Sequence, residues 1–202
     1  MKKNIFIEYY PSQDRKRLCE IVGNEIKDII KISYESYDEF LNDWDDYHEY
    51  QNKFSFFKYS YGCVLLRFSN ELEYLFYSAD EQNSVMLLCQ RDAMNVNPYY
   101  VLNKEVNSEI KMIFSVKEDR DLYFNRFINR KIKKINILTK NNLNSKEEDL
   151  PSNMGIELLF ENMNESLILS HHLDENKSFV FSILEGNDIK DDKQIFVKDE
   201  IE

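Results

Sequence analysis

Glycine and proline are scarce in this chain, with 4 Gly and 3 Pro among 202 residues. Loops that wrap a phosphate, or let the backbone approach a cofactor closely, need residues without a Cβ. Nucleotide-binding readings therefore lose their usual scaffold. Cysteine is equally sparse: Cys19, Cys63 and Cys89 are odd in number, widely spaced and flanked by apolar residues. That pattern gives neither a disulfide framework nor a paired metal-ligand motif, and it suits reduced, buried thiols. Catalysis by a thiol in such surroundings is disfavoured. The only histidines are His48, His171 and His172. On a strand the adjacent pair would point to opposite faces, which is poor geometry for holding one ion. No zinc-protease helix, phosphate-cradling loop or nucleophile elbow is present, so no catalytic residue, metal site or cofactor is expected. Hydrophobic runs are short as well. Glu8 interrupts the N-terminal apolar stretch before a signal peptide's hydrophobic region is complete, and no segment reaches the roughly 20 apolar residues of a membrane span. A cytoplasmic protein that neither enters nor crosses a membrane is the expectation.

Aromatic residues are plentiful, with 13 Tyr and 14 Phe. Disordered chains lack those side chains, and a chain of this length removes roughly 70% of its unfolded surface on folding. Charge is strongly one-sided: 37 Asp and Glu stand against 26 Lys and Arg, a formal net charge of −11. Such a field repels nucleic acid and anionic lipid and draws in basic partners, so direct nucleic-acid binding is not expected.

The apolar pattern predicts an α+β fold with antiparallel β-meanders in two lobes, an N-terminal helical segment and an amphipathic acidic helix. Residues 4–10 read as a short strand. Over 14–30, Leu18, Ile21, Val22, Ile26, Ile29 and Ile30 recur at helical spacing. From Phe54 the texture turns to β, with strands at 62–69, 72–78 and 85–90 forming a meander, a break at 95–98 and a further strand at 110–116. A short helix is expected between 118 and 129, then a strand at 132–139, a polar loop at 140–149, and strands at 155–161, 166–171 and 178–184. The turns between those last three fall at 162–164 and 174–177. The expected division is an N-terminal lobe, 1–117, a C-terminal lobe, 118–184, and an acidic tail, 185–202. In that tail Ile195, Phe196 and Val197 pair or dock and the rest stays mobile.

The strongest local pattern lies in 34–50. Its acids are Glu35, Asp38, Glu39, Asp43, Asp45, Asp46 and Glu49, its aromatics are Tyr34, Tyr37, Phe40, Trp44, Tyr47 and Tyr50, and no Lys or Arg interrupts them. At about 100° per residue, a helix would separate the carboxylates from the aromatics. Like charges at that density repel one another. Two readings explain them, a plainly solvated face or a docking surface for a basic protein. On the docking reading the contacts are Glu35, Asp38, Asp43, Asp45, Asp46 and Glu49. Asp43, Asp45 and Asp46 lack the glycine and closing glutamate of a calcium loop. The one concentrated basic stretch, Arg126, Arg130, Lys131, Lys133 and Lys134 with Lys140 beyond it, is read either as a nucleic-acid contact or as an internal partner for the acidic helix.

In the last third, Gly155-Ile156-Glu157-Leu158-Leu159-Phe160, a polar turn, and Ser166-Leu167-Ile168-Leu169-Ser170-His171 follow a helix and strand over 127–138. This stretch, 127–184, resembles the C-terminal β-module of bacterial immunity proteins encoded beside polymorphic or contact-dependent toxins. Met163 and Asn164 stand where a glycine turn is usual in that module. The resemblance implies a cytoplasmic antidote that binds a cognate toxin domain, with no turnover and no cofactor. An alternative from the carboxylates alone is an acidic nucleic-acid mimic that inhibits a DNA- or RNA-binding defence enzyme.

Overall fold

The computed structural model describes residues 11–12, 15–43, 52–79, 84–89, 110–119, 122–140, 152–171, 181–189 and 195–202. The strand expected at 4–10, the break at 95–98, the loop at 140–149 beyond Lys140 and the turn at 174–177 lie outside them.

Helix α1 covers Arg15–Ile21 and buries Leu18 and Ile21. The helix expected over 14–30 stops there. Gly23 takes φ +81° and donates its N–H to Ile132 O at 2.9 Å, and strand β1, Ile26–Ser33, begins three residues later. Ile26, Ile29 and Ile30 satisfy helical spacing, but they are β-branched and, like Ile32 beyond them, all are buried. A strand covered on both faces explains the same pattern.

Helix α2, Tyr37–Asp43, replaces the first part of the helix expected at 34–50. Tyr34 and Glu35 precede it because Ser36 and Glu39 form a reciprocal cap. Ser36 N–H donates to Glu39 Oε2 at 2.7 Å, and Glu39 N–H donates to Ser36 Oγ at 3.2 Å. Positions 44–50 are outside the described residues. Helix α3, Lys53–Tyr59, occupies the stretch where β texture was expected from Phe54. Asn52 supplies the reason: its side chain accepts from Ser55 N–H at 2.9 Å, and this cap outweighs the strand preference of three phenylalanines.

Strands β2 (Gly62–Phe68), β3 (Glu73–Ala79) and β4 (Ser84–Cys89) form the expected meander. With β1 and β5 (Met112–Ser115) they make a sheet of order β4-β3-β2-β1-β5, antiparallel throughout. Gly62 is needed at the β1–β2 crossing, since a Cβ there would lie 2.0 Å from Ile32 O. A 3-10 helix, Tyr123–Phe127, stands where a short helix was expected. The second sheet contains β6 (Ile132–Lys140), β7 (Gly155–Phe160), β8 (Ser166–His171), β9 (Phe181–Glu185) and β10 (Ile195–Ile201), in the order β10-β6-β7-β8-β9. The segment expected as a mainly mobile tail thus supplies α4, Gly186–Ile189, and an edge strand. Strand β10 pairs with β6 along Ile195 to Ile201, well past the apolar cluster.

These two antiparallel sheets and their helices make an α+β fold. The largest core cluster joins inward residues of the first sheet (Ile29, Val64, Leu66, Phe76, Leu87) to those of the second (Ile137, Ile156, Leu158, Leu169). Burial of each such side chain is worth about 1.5–3 kcal/mol. Polar links join the sheets too. Val85 N–H donates to Asn153 O at 2.8 Å, and Ser78 Oγ shares a hydrogen bond with Nδ1 of the buried His171. A second cluster, including Ile32, Cys63 and Leu65, lies on the opposite face of the first sheet.

Of the cysteines expected to be buried, Cys63 is, but Cys19 is exposed. Leu18 and Ile21 turn inward from α1, which leaves Cys19 facing out. Among the described residues, no helix is long and apolar enough to cross a membrane.

Candidate functional site

A cleft among the described residues forms where the N-terminus of α3 meets the 3-10 helix. Asn52, Lys53 and Phe54 line one side, Asp119, Leu122 and Tyr123 the other, around a cleft of about 450 Å³. The Asn52 cap fixes where α3 starts, and so where Phe54 projects. The Phe54 ring stacks on Phe124 at 5.5 Å between centroids and meets Tyr123 edge-on at 5.9 Å. Phe124 is fully buried, so the apolar wall is anchored in the core. At the rim, Lys53 Nζ lies 3.3 Å from Asp119 Oδ2.

Behind this wall sits a charged cluster. The Arg126 guanidinium stacks 3.6 Å from the Tyr123 ring centroid. It lies 3.6 Å from Glu185 Oε2 and 3.8 Å from Glu165 Oε1. Tyr123 O–H donates to Glu185 Oε2 at 2.5 Å. Lys58 Nζ, almost entirely buried on α3, donates to Asp188 Oδ2 at 2.6 Å, and the same oxygen accepts from Glu185 N–H at 2.8 Å. Burial, followed by the nearby Asp188 carboxylate, raises the Glu185 carboxyl above its ordinary value; Arg126 and Lys58 act in the opposite direction.

The cleft offers an apolar floor with one cation and one anion that neutralise each other. Such a lining can accommodate an apolar group that carries a polar end. Among the described residues, no three His, Cys, Asp or Glu side chains converge to hold a metal ion.

The acids singled out from sequence are distributed differently. Glu35 Oε1 accepts from Tyr61 N–H at 2.5 Å. Asp38 is exposed in the first turn of α2, and Asp43 is the last residue of that helix. Asp45, Asp46 and Glu49 lie outside the described residues, as do His48 and His172. Glu39 pairs with Lys111, and that contact with the Ser36 cap holds its carboxyl down to about 2. Among the described residues, the basic stretch pairs with acids elsewhere in the chain. Lys131 meets Glu161 at 2.8 Å, Lys134 meets Glu200 at 2.8 Å, and Arg126 meets Glu165 and Glu185.

The cleft residues were missed from sequence because two stretches far apart along the chain, 52–54 and 119–123, supply them. The signal that could have found one side is Asn52 three residues before Ser55, a helix start just after the acidic segment. No protein-family model, curated protein or solved structure matches this chain.

Proposed function

We propose that this protein works by binding, as an immunity-type antidote that neutralises a basic toxin domain in the cytoplasm without catalysis. The observation that carries the reading is a juxtaposition along the chain. Glu49, the last acid of the 35–49 segment, stands three residues before Asn52, which caps α3 at the mouth of the apolar cleft. Carboxylates steer a basic partner and slow its escape, while a desolvated aromatic pocket supplies the concentrated contact that typically dominates affinity. The net charge of −11 favours the same partner. A nucleic-acid mimic needs carboxylates free along a long face. Here Glu35 is spent on Tyr61 N–H and Glu39 on Lys111 and Ser36, which favours the protein-docking reading.

Co-expression tests it. A host killed by the toxin domain encoded beside this chain should survive when the chain is present. The absence of such a gene, or continued killing with the chain well expressed, would contradict the proposal.

A further inference from the structure

Recognition in the cleft falls on two charges. Among its described lining residues the charged ones are Lys53 and Asp119, one on each wall, with Lys53 Nζ 3.3 Å from Asp119 Oδ2. Two further polar groups there are committed elsewhere: Asn52 Oδ1 accepts from Ser55 N–H, and Tyr123 O–H donates to Glu185. Below the ion pair the floor is apolar, made of Phe54, Leu122 and Tyr123, and Phe54 stacks on the fully buried Phe124. The two charges are held unequally. The Asp119 side chain is 24% exposed and that of Lys53 66%, so the carboxylate is seated in the wall while the ammonium stands in solvent on a flexible stem. An ion pair this exposed contributes little and exchanges partners readily.

Small molecules of different charge meet such a lining differently. A neutral apolar one gains only the floor. A singly charged one breaks the rim pair and leaves either Lys53 or Asp119 without its counter-charge. A molecule whose ammonium and carboxylate sit on one carbon replaces both halves of the pair at once and keeps its side chain on the floor. We propose that the cleft binds a free aromatic α-amino acid, its ammonium on Asp119, its carboxylate on Lys53 and its ring against Phe54, Leu122 and Tyr123. Charge complementarity selects that occupant, since a protein side chain or chain terminus brings only one of the two charges. The volume of about 450 Å³ falls within the range of small-ligand pockets, and the Phe54 and Tyr123 rings favour an aromatic side chain by edge-on or offset contact.

Calorimetric titration of the whole chain tests this with L-phenylalanine, with phenethylamine, which lacks the carboxylate, with 3-phenylpropanoate, which lacks the ammonium, and with glycine, which lacks the ring. L-Phenylalanine should bind about two- to fivefold more tightly than either singly charged analogue, the range that a partly exposed ion pair supports, and glycine should not bind measurably. Lys53→Met should erase the preference over phenethylamine and keep that over 3-phenylpropanoate. Asp119→Asn should do the reverse, a crossed pattern that general loosening of the fold does not produce. Equal affinity for the three ring-bearing probes, no binding of L-phenylalanine at millimolar concentration, or preferences unchanged in both variants would overturn the proposal. Should either variant fail to fold, the probe series on the native chain still decides. Amino-acid binding with failed toxin rescue removes only the antidote reading, and rescue without such binding removes only the ligand.

Discussion

Tyr123 O–H donates to Glu185 Oε2 over 2.5 Å, which fastens the wall of the cleft to the end of β9. The Glu185 carboxyl is raised above its ordinary value, chiefly by burial. The folded chain therefore holds this proton more tightly than the unfolded chain, and stability falls as pH climbs through the window just above 4.5. Glu185→Gln keeps an acceptor for Tyr123 and has no charge to bury. Urea melts from pH 4 to 7 should show a smaller fall for this variant than for the native chain.

Lys31 on β1 lies between Val64 and Phe114 in the sheet register and is fully buried. Burial pulls its ammonium down to about 8, with Cys63 and Glu35 opposing that shift. Between about 8 and 10.5 the unfolded chain carries a proton that the folded chain lacks, so stability should rise with pH there. Below that window the buried charge costs on the order of 3 kcal/mol. Lys31→Met should raise stability at pH 7 by up to that amount and abolish the rise, read from denaturant melts at pH 7, 9 and 10.

Asn52 holds the first turn of α3 at the cleft. Asn52→Ala removes the acceptor for Ser55 N–H and should cost about 1 kcal/mol. Thermal melts measure this loss, and amide exchange should quicken at Ser55 while Leu158, deep in the second sheet, keeps its protection.

Cys19 faces solvent and Cys63 is buried, with its thiol pushed up to about 12 by burial. Iodoacetamide should label Cys19 in the native protein within minutes and Cys63 only after unfolding, as read by peptide mass spectrometry.

The β part of the fold was largely legible because its strands alternate or run apolar between polar turns, and pairing of sequence neighbours follows from short connections. The meander of β2 to β4 and the β7–β8 hairpin are of that kind. The first half of the chain was harder to read. Ile26 to Ile30 fits two periods at once, and only Gly23 with its positive φ separates helix from strand. At Ser36 and Asn52 a single side-chain cap decides a helix start that aromatic content obscures. Strand β10 was read as a tail because its charges hide an edge pairing, which buries few of its side chains. The cleft was illegible for a different reason, since Phe54, Asp119 and Tyr123 meet only through tertiary packing.

The most direct measurement is the binding of the neighbouring toxin domain, by calorimetry at low and high salt, to the native chain and to a variant with Asp38, Asp43, Asp45 and Asp46 changed to Asn. A tight complex that weakens with salt, and at least a tenfold loss in the variant, is the expected result. No complex, or one equally tight with those four carboxylates removed, would contradict the account.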